Sequence, residues 1–145
     1  MKVSILGSGL MGKDIALLLS QSEKIDKIFL TSLNSNFKNK KIELDNYLHL
    51  NEKRFKKSLN VNNFQKISLN GNLDNIPVSD FLIETIIEKK EKKIDLIKKI
   101  NSLVSKSTLF FTNTSSINLE ELSKHYENSF NFLGMHFFNP VLRTK

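Results

Sequence analysis

The sequence predicts an α/β fold, a doubly wound and mainly parallel sheet of six strands with helices on both faces. Short apolar runs with strand character alternate with amphipathic helical stretches along the chain. A glycine turn, GSGLMG at residues 7–12, links the first strand to the first helix, and strands that alternate with helices run parallel in one sheet. The same alternation recurs in a second half, which implies the strand order 3-2-1-4-5-6. A chain of 145 residues suits one domain, because at that size roughly 68–70% of the unfolded surface can be buried. Residues 1–145 are therefore expected to form a single unit.

Residues 2–6 (KVSIL) alternate apolar and polar side chains and run into Gly7, the pattern of a strand that stops at a tight turn. Met11, Ile15, Leu18 and Leu19 then recur at helical spacing, which places a helix at about 11–21. KIFLT at 27–31 is the second strand and completes a βαβ unit. A basic helical stretch follows at roughly 37–59, with Leu44, Leu48, Phe55 and Leu59 toward the core, and 66–69 is a short third strand. The second half opens on DFLIETII at 80–87, a dense apolar strand. Residues 89–105 form an amphipathic helix whose Ile94, Ile97, Ile100 and Val104 share a face while its lysines face solvent. A fifth strand spans 108–112. Asn118, with Glu121 three residues later, has the form of a capping box opening a helix to about Tyr126, and 132–138 is the sixth strand.

Twenty-two basic against fifteen acidic residues give a net charge of +7, which favours polyanionic partners in general. Nucleic acid, coenzyme A and a dinucleotide all qualify, and the abundance of Lys, Asn and Ile beside a single Ala is equally the mark of an AT-biased genome. The lysines are spread over several elements without a nucleic-acid-binding motif, so no nucleic-acid partner is expected. The absence of cysteine excludes disulfides, zinc–thiolate sites and thiol catalysis, and no metal site is read. MKVSILGSG enters a strand directly, and no run reaches the ~18–20 apolar residues of a membrane span. A soluble, cytoplasmic protein with no membrane partner is expected.

GSGLMG stands immediately after a strand and opens a helix, the setting its chemistry requires. Gly7 permits the tight turn, Gly9 lets the backbone approach a pyrophosphate, and Gly12 lets helix and strand pack closely. The helix start then offers N–H groups and the positive end of a dipole to the phosphates. A plain glycine turn is the alternative, and the strand–turn–helix context argues against it. Leu10 and Met11 count with the glycines as cofactor-binding positions. A carboxylate about 20 residues past the glycines ordinarily accepts hydrogen bonds from the adenosine ribose 2′-hydroxyl. Here Ser32 stands at that position, followed by Leu33 and Asn34. A carboxylate would repel a 2′-phosphate and a serine would not, so NAD is expected with NADP not excluded.

Two further motifs follow, TNTSSI at 112–117 and GMHFFNP at 134–140. With the glycine turn, in this order, they resemble the NAD-binding domain of the L-3-hydroxyacyl-CoA dehydrogenases over nearly the whole chain. The resemblance implies a Rossmann-type fold and the oxidation of (S)-3-hydroxyacyl-CoA to 3-ketoacyl-CoA with hydride transfer to NAD, as in fatty-acid β-oxidation. It implies an acyl-CoA substrate and, for a full-length enzyme, a dimer. His136 falls on the family's general base. Ser115, the first of the serine pair and 21 residues before His136, falls on its hydroxyl donor and also counts among the cofactor positions. The residue types suit the chemistry, since taking a proton from a secondary alcohol needs a base of near-neutral pKa. Asn139 falls on a family asparagine that contacts the cofactor, and Glu88 and Lys93 fall on positions beside it. On residues alone, Glu88 and Lys93 read equally well as solvated charges at a helix start. His49 and His125 lack such surroundings and read as surface residues.

Lys38, Lys40, Lys41, Lys53, Arg54, Lys56 and Lys57 crowd the 37–59 stretch, which in the family lies near coenzyme A. A solvated helix face accounts for them as well, and none is assigned. Two family features fall past Lys145: a glutamate twelve residues after the histidine, and the helical C-terminal domain that closes the site. A second reading, a non-catalytic dinucleotide-binding module or a truncated inactive fragment, therefore stands beside the dehydrogenase domain.

Overall fold

In the computed structural model, which describes residues 1–33, 36–55 and 58–142, six parallel strands form one sheet in the order β3-β2-β1-β4-β5-β6. The strands are β1 (Lys2–Leu6), β2 (Lys27–Thr31), β3 (Ile67–Asn70), β4 (Phe81–Glu84), β5 (Leu109–Thr112) and β6 (Phe132–Gly134). This is the fold class and the order that the sequence predicts. The winding reverses between β1 and β4, which pair from Val3↔Phe81 to Leu6↔Glu84. A crevice forms at such a switch point, outside the carboxyl ends of the strands.

Helices cover both faces: α1 (Leu10–Ser20), α2 (Phe37–Arg54), α3 (Lys90–Asn101) and the short α4 (Leu119–Ser123). Strand alternation divides the core between them. Val3, Ile5, Ile28 and Leu30 pack with Ile15, Ala16 and Leu17 of α1 and Leu44 of α2. Leu6, Leu82, Phe110 and Phe132 pack with Leu96, Ile97 and Ile100 of α3 and Leu122 of α4. Full burial of each such side chain contributes about 1.5–3 kcal/mol, so both layers are needed to hold the sheet. At the β6 edge, Phe132 stacks on Phe110 at 5.0 Å between centroids. Tyr126 lies 5.2 Å from Phe110 and donates its hydroxyl to the Thr108 carbonyl at 3.1 Å.

Several elements end earlier than their sequence pattern does, because a side chain or a tighter turn takes over from regular pairing. β4 stops at Glu84, where the Ile86 N–H turns back to the Glu84 carboxylate at 2.7 Å. β6 stops at Gly134: the Met135 N–H still reaches the Thr112 carbonyl at 3.0 Å, but the Phe137 N–H goes to the Asn113 side chain at 2.7 Å. α3 ends at Asn101, where the Leu103 N–H closes a tight turn on the Ile100 carbonyl. α4 ends at Ser123, which leaves Tyr126 to the aromatic cluster. Its capping box is half made: Asn118 accepts from the Glu121 N–H at 3.2 Å, while the Glu121 carboxylate pairs with Lys90. α2 ends at Arg54 rather than near 59, and Asn34, Lys56, Lys57 and Lys145 lie outside the described residues. One correction bears on the site. The lysines of α3 were expected to face solvent, and Lys93 is fully buried.

Candidate cofactor site and the serine–histidine edge

The three glycines of the turn answer to three different constraints. Gly7 has φ +121°, a conformation that side chains with a Cβ rarely adopt, and a Cβ there would meet Thr85 Oγ1 at 2.8 Å. A Cβ on Gly12 would lie 1.9 Å from the Gly7 carbonyl oxygen, so only glycine lets α1 approach β1 this closely. Around Gly9, nothing stands within 4 Å of where a Cβ would be. The protein's own packing therefore does not demand a glycine there. Gly9 is the N-cap of α1, no side chain caps that helix, and no acidic residue occupies its first turn. Its leading N–H groups are available to an anion. Leu10 is exposed and Met11 packs against the core of the α1 face. Thr85 braces the turn from beyond β4, donating to the Leu6 and Gly7 carbonyls at 3.3 and 3.1 Å.

The turn opens on a cleft of about 1100 Å³ whose lining includes Gly7, Gly9, Ser32, Lys40, Asp74 and Thr85. Ser32 follows β2, is 1% exposed, and donates its N–H to the Asn70 carbonyl at 2.8 Å. No carboxylate is supplied from that position; the acids lining the cleft are Asp74, after β3, and Asp95 of α3. Lys40 is paired with Glu43 at 2.7 Å. The room, the uncapped helix start and the bare Gly9 together fit a dinucleotide pyrophosphate.

Ser115, His136 and Asn139 lie outside this cleft, exposed at the ends of β5 and β6. Thr112 pairs with Gly134 across those strands, so Ser115 and His136 leave neighbouring strands at the same edge of the sheet. Asn113 ties the two segments together, since its Oδ1 accepts the Phe137 N–H. The His136 ring packs against Phe138 at 4.8 Å. His49 is exposed, 3.7 Å from Glu52. His125 is half-buried at the end of α4 rather than on the surface.

Between cleft and edge lies an ion cluster in which Lys93 and Glu84 are buried and Glu88 is a third exposed. Lys93 Nζ stands 2.7 and 2.8 Å from the two Glu84 oxygens and 3.1 Å from Glu88 Oε2. Glu84 also accepts from the Ile86 N–H at 2.7 Å and the Thr112 hydroxyl at 2.6 Å. Glu88 Oε1 accepts from the Thr114 hydroxyl, the Ser115 N–H at 2.9 Å, and both the N–H and hydroxyl of Ser116 at 3.2 Å. Burial raises the Glu88 carboxyl, but the bonds from Thr114, Ser115 and the Lys93 ammonium outweigh it and hold the pKa at about 2. Lys93 is thus enclosed by carboxylates, which rules out a solvated charge at a helix start. Sequence reasoning does not single out Glu84, Thr85 or Asn113. One signal was available: Lys93 falls on the helical stripe of Leu96, Ile97 and Ile100, where a charge needs a buried partner. Among the described residues no group of His, Asp and Glu could hold a metal ion, and no helix is long and apolar enough to cross a membrane.

A parallel, doubly wound sheet with a glycine turn at its switch point is the architecture of a dinucleotide-binding domain. Residues 2–145 match the model of the 3-hydroxyacyl-CoA dehydrogenase NAD binding domain, and the chain belongs to that family, whose cofactor is NAD. It is 29% identical over 151 residues to a probable 3-hydroxyacyl-CoA dehydrogenase of Caenorhabditis elegans, covering 99% of this chain and 48% of that protein. It is 28% identical over 156 residues to 3-hydroxybutyryl-CoA dehydrogenase of Clostridioides difficile, covering 100% of this chain and 52% of the relative. The chain thus spans about half the length of these curated relatives. The crystal structure of 3-hydroxybutyryl-CoA dehydrogenase from Escherichia coli K12 superposes with a TM-score of 0.86 at 24% identity, over 100% of this chain and 31% of that one, a likeness of fold.

Proposed function

We propose that residues 1–145 are the NAD-binding domain of a dehydrogenase that oxidises the 3-hydroxyl of an (S)-3-hydroxyacyl-CoA to a ketone in fatty-acid metabolism. The observation that carries this reading is that Ser115 and His136 follow the carboxyl ends of the paired neighbouring strands β5 and β6, in segments tied together by the Asn113–Phe137 bond. Bound NAD supplies the hydride acceptor. An imidazole nitrogen of His136 takes the hydroxyl proton, and the Ser115 hydroxyl, which bonds no other described residue, donates to the substrate oxygen. The turn from Gly7 to Gly12 receives the pyrophosphate, with Leu10 and Met11 beside it, Ser32 toward the adenosine ribose and Asn139 toward the other end of the cofactor. The relatives' names support a coenzyme A thioester as substrate.

A non-catalytic dinucleotide-binding module is the second reading, since the glycine turn and its cleft support cofactor binding without requiring turnover. One assay separates the two: NADH oxidation with acetoacetyl-CoA by residues 1–145, by a version extended through the family's helical domain, and by extended His136→Gln. The short chain should bind NADH and turn over negligibly, because substrate positioning is worth up to ~7–11 kcal/mol. The extended protein should be active, and His136→Gln should lower its rate by about 10²–10⁴-fold. An inactive extended protein would leave the binding module as the better reading, and full activity of His136→Gln would remove His136 as the base.

A further inference from the structure

We propose that Lys40 is a specificity residue of the cofactor cleft, and that beside Ser32 it lets the cleft accept a dinucleotide with a 2′-phosphate, NADPH, as well as NADH. The inference rests on the cleft being a dinucleotide site. Its starting point is charge. Discrimination against a 2′-phosphate ordinarily comes from a carboxylate after the second strand, and from Thr31 to Ile42 the chain has no acid and three lysines, Lys38, Lys40 and Lys41. Of these, Lys40 lines the cleft together with Ser32. Among the described residues the lining holds the ammonium groups of Lys40, Lys92 and Lys99 against the carboxylates of Asp74 and Asp95. A phosphate monoester carries about −1.5 to −2 charges at neutral pH, so the element after β2 offers it a cation where an acid would repel it.

The ends of β2 and β3 bring Lys40 to this place. Thr31 pairs with Asn70, and the Ser32 N–H bonds to the Asn70 carbonyl at 2.8 Å, so Ser32 and Gly71 leave neighbouring strands side by side. The Phe37 ring lies against Gly71, where a Cβ would overlap it. Only glycine admits the ring so closely, and the contact fixes the start of α2 over the end of β3. Asn36 caps that helix by accepting from the Asn39 N–H at 3.2 Å, and no acid stands in its first turn. Lys40 Nζ lies 3.0 and 2.7 Å from the two oxygens of Glu43, which uses two of its three donors and leaves one for a ligand. The pair is a light tether: Glu43 is 47% exposed, and such pairs are weak. It holds the ammonium at the cleft without committing it.

The test is calorimetric titration of residues 1–145 with NADH and NADPH, and with the fragments adenosine 5′-monophosphate and adenosine 2′,5′-bisphosphate. The wild type should bind NADPH within about tenfold of NADH, and the bisphosphate more tightly than the monophosphate. Added salt should weaken NADPH more than NADH, because the extra contact is between charges. Lys40→Met should raise the ratio of the NADPH Kd to the NADH Kd by about tenfold, the change that losing one hydrogen bond to a charged group brings. Lys40→Arg, which keeps the cation, should hold the ratio near that of the wild type. Ser32→Asp, which supplies the missing acid, should raise it in the same direction as Lys40→Met. Wild-type binding of NADPH more than about tenfold weaker than that of NADH overturns the proposal. So does a ratio that Lys40→Met leaves unmoved. Failure to bind either dinucleotide overturns the cofactor reading and the proposal with it, whereas a failure confined to NADPH strikes the proposal alone.

Discussion

Gly9 and Gly12 stand three residues apart in one turn, yet they answer to different demands, and substitution can tell them apart. A side chain at Gly12 collides with the Gly7 carbonyl, whereas one at Gly9 enters open space. Gly9→Val should therefore fold and melt close to the wild type while losing NADH binding, because the added methyl groups fill the approach to the α1 N-terminus. Gly12→Val should lose stability first, since overpacking at a helix–strand contact costs about 1–3 kcal/mol or more. Thermal melting beside calorimetric titration with NADH checks both. Equal NADH affinity in Gly9→Val and wild type would move the pyrophosphate away from this turn. Fingerprint spacing names all three glycines, but only the tertiary structure separates Gly7 and Gly12, which packing requires, from Gly9, which it leaves open.

At the scale of elements, β5 and β6 are short, and the segments past them are held by side chains more than by the ladder. Residues 132–138 read as one strand in sequence because FLGMHFF is apolar and aromatic. The strand nevertheless ends at Gly134, because Asn113 captures the Phe137 N–H and carries the His136 segment out of the sheet. Asn113→Ala leaves that part-buried N–H without its acceptor, at a cost of about 1–3 kcal/mol. Chemical denaturation should register that loss, and exchange at the Phe137 amide should accelerate while Asn113→Asp keeps it slow. Unaltered exchange in Asn113→Ala would show that the segment is held by its packing alone, through Phe137 in the core. β4 teaches the same lesson: DFLIETII is apolar almost to its end, but the strand stops at Glu84, the residue that begins the ion cluster.

For the whole molecule, the ion cluster ties α3 to the ends of β4 and β5 and gives the fold a pH dependence. The Glu88 carboxyl is held at about 2 in the folded protein, below its ordinary 4.5. A folded-state pKa below the unfolded one stabilises the protein above pH 4.5, and that contribution is lost as pH falls through about 2. Acid unfolding followed by circular dichroism should thus show wild type losing its advantage over Glu88→Gln across this window, with the two curves meeting at its lower end. Parallel curves would mean that the Glu88 charge is not coupled to folding. Much of the molecule was legible beforehand. Strand–helix alternation with periods of 2 and 3.6 determined the doubly wound sheet and its order, since a parallel sheet with right-handed crossovers admits few alternatives. The glycine turn was legible too, in its strand–turn–helix setting, while Ser115 and His136 were named through the family resemblance. What a linear pattern could not carry was which charged residues pair in the fold. On residues alone Glu88 and Lys93 read equally well as solvated charges at a helix start and Glu84 is not singled out, and only the packing of α3 against the ends of β4 and β5 brings Lys93 to 2.7 Å from Glu84 and 3.1 Å from Glu88. Burial and mutual pairing depend on elements far apart in sequence, and so the tertiary structure alone decided that Lys93 is buried against Glu84 and that Glu88 accepts bonds from Thr114, Ser115 and Ser116.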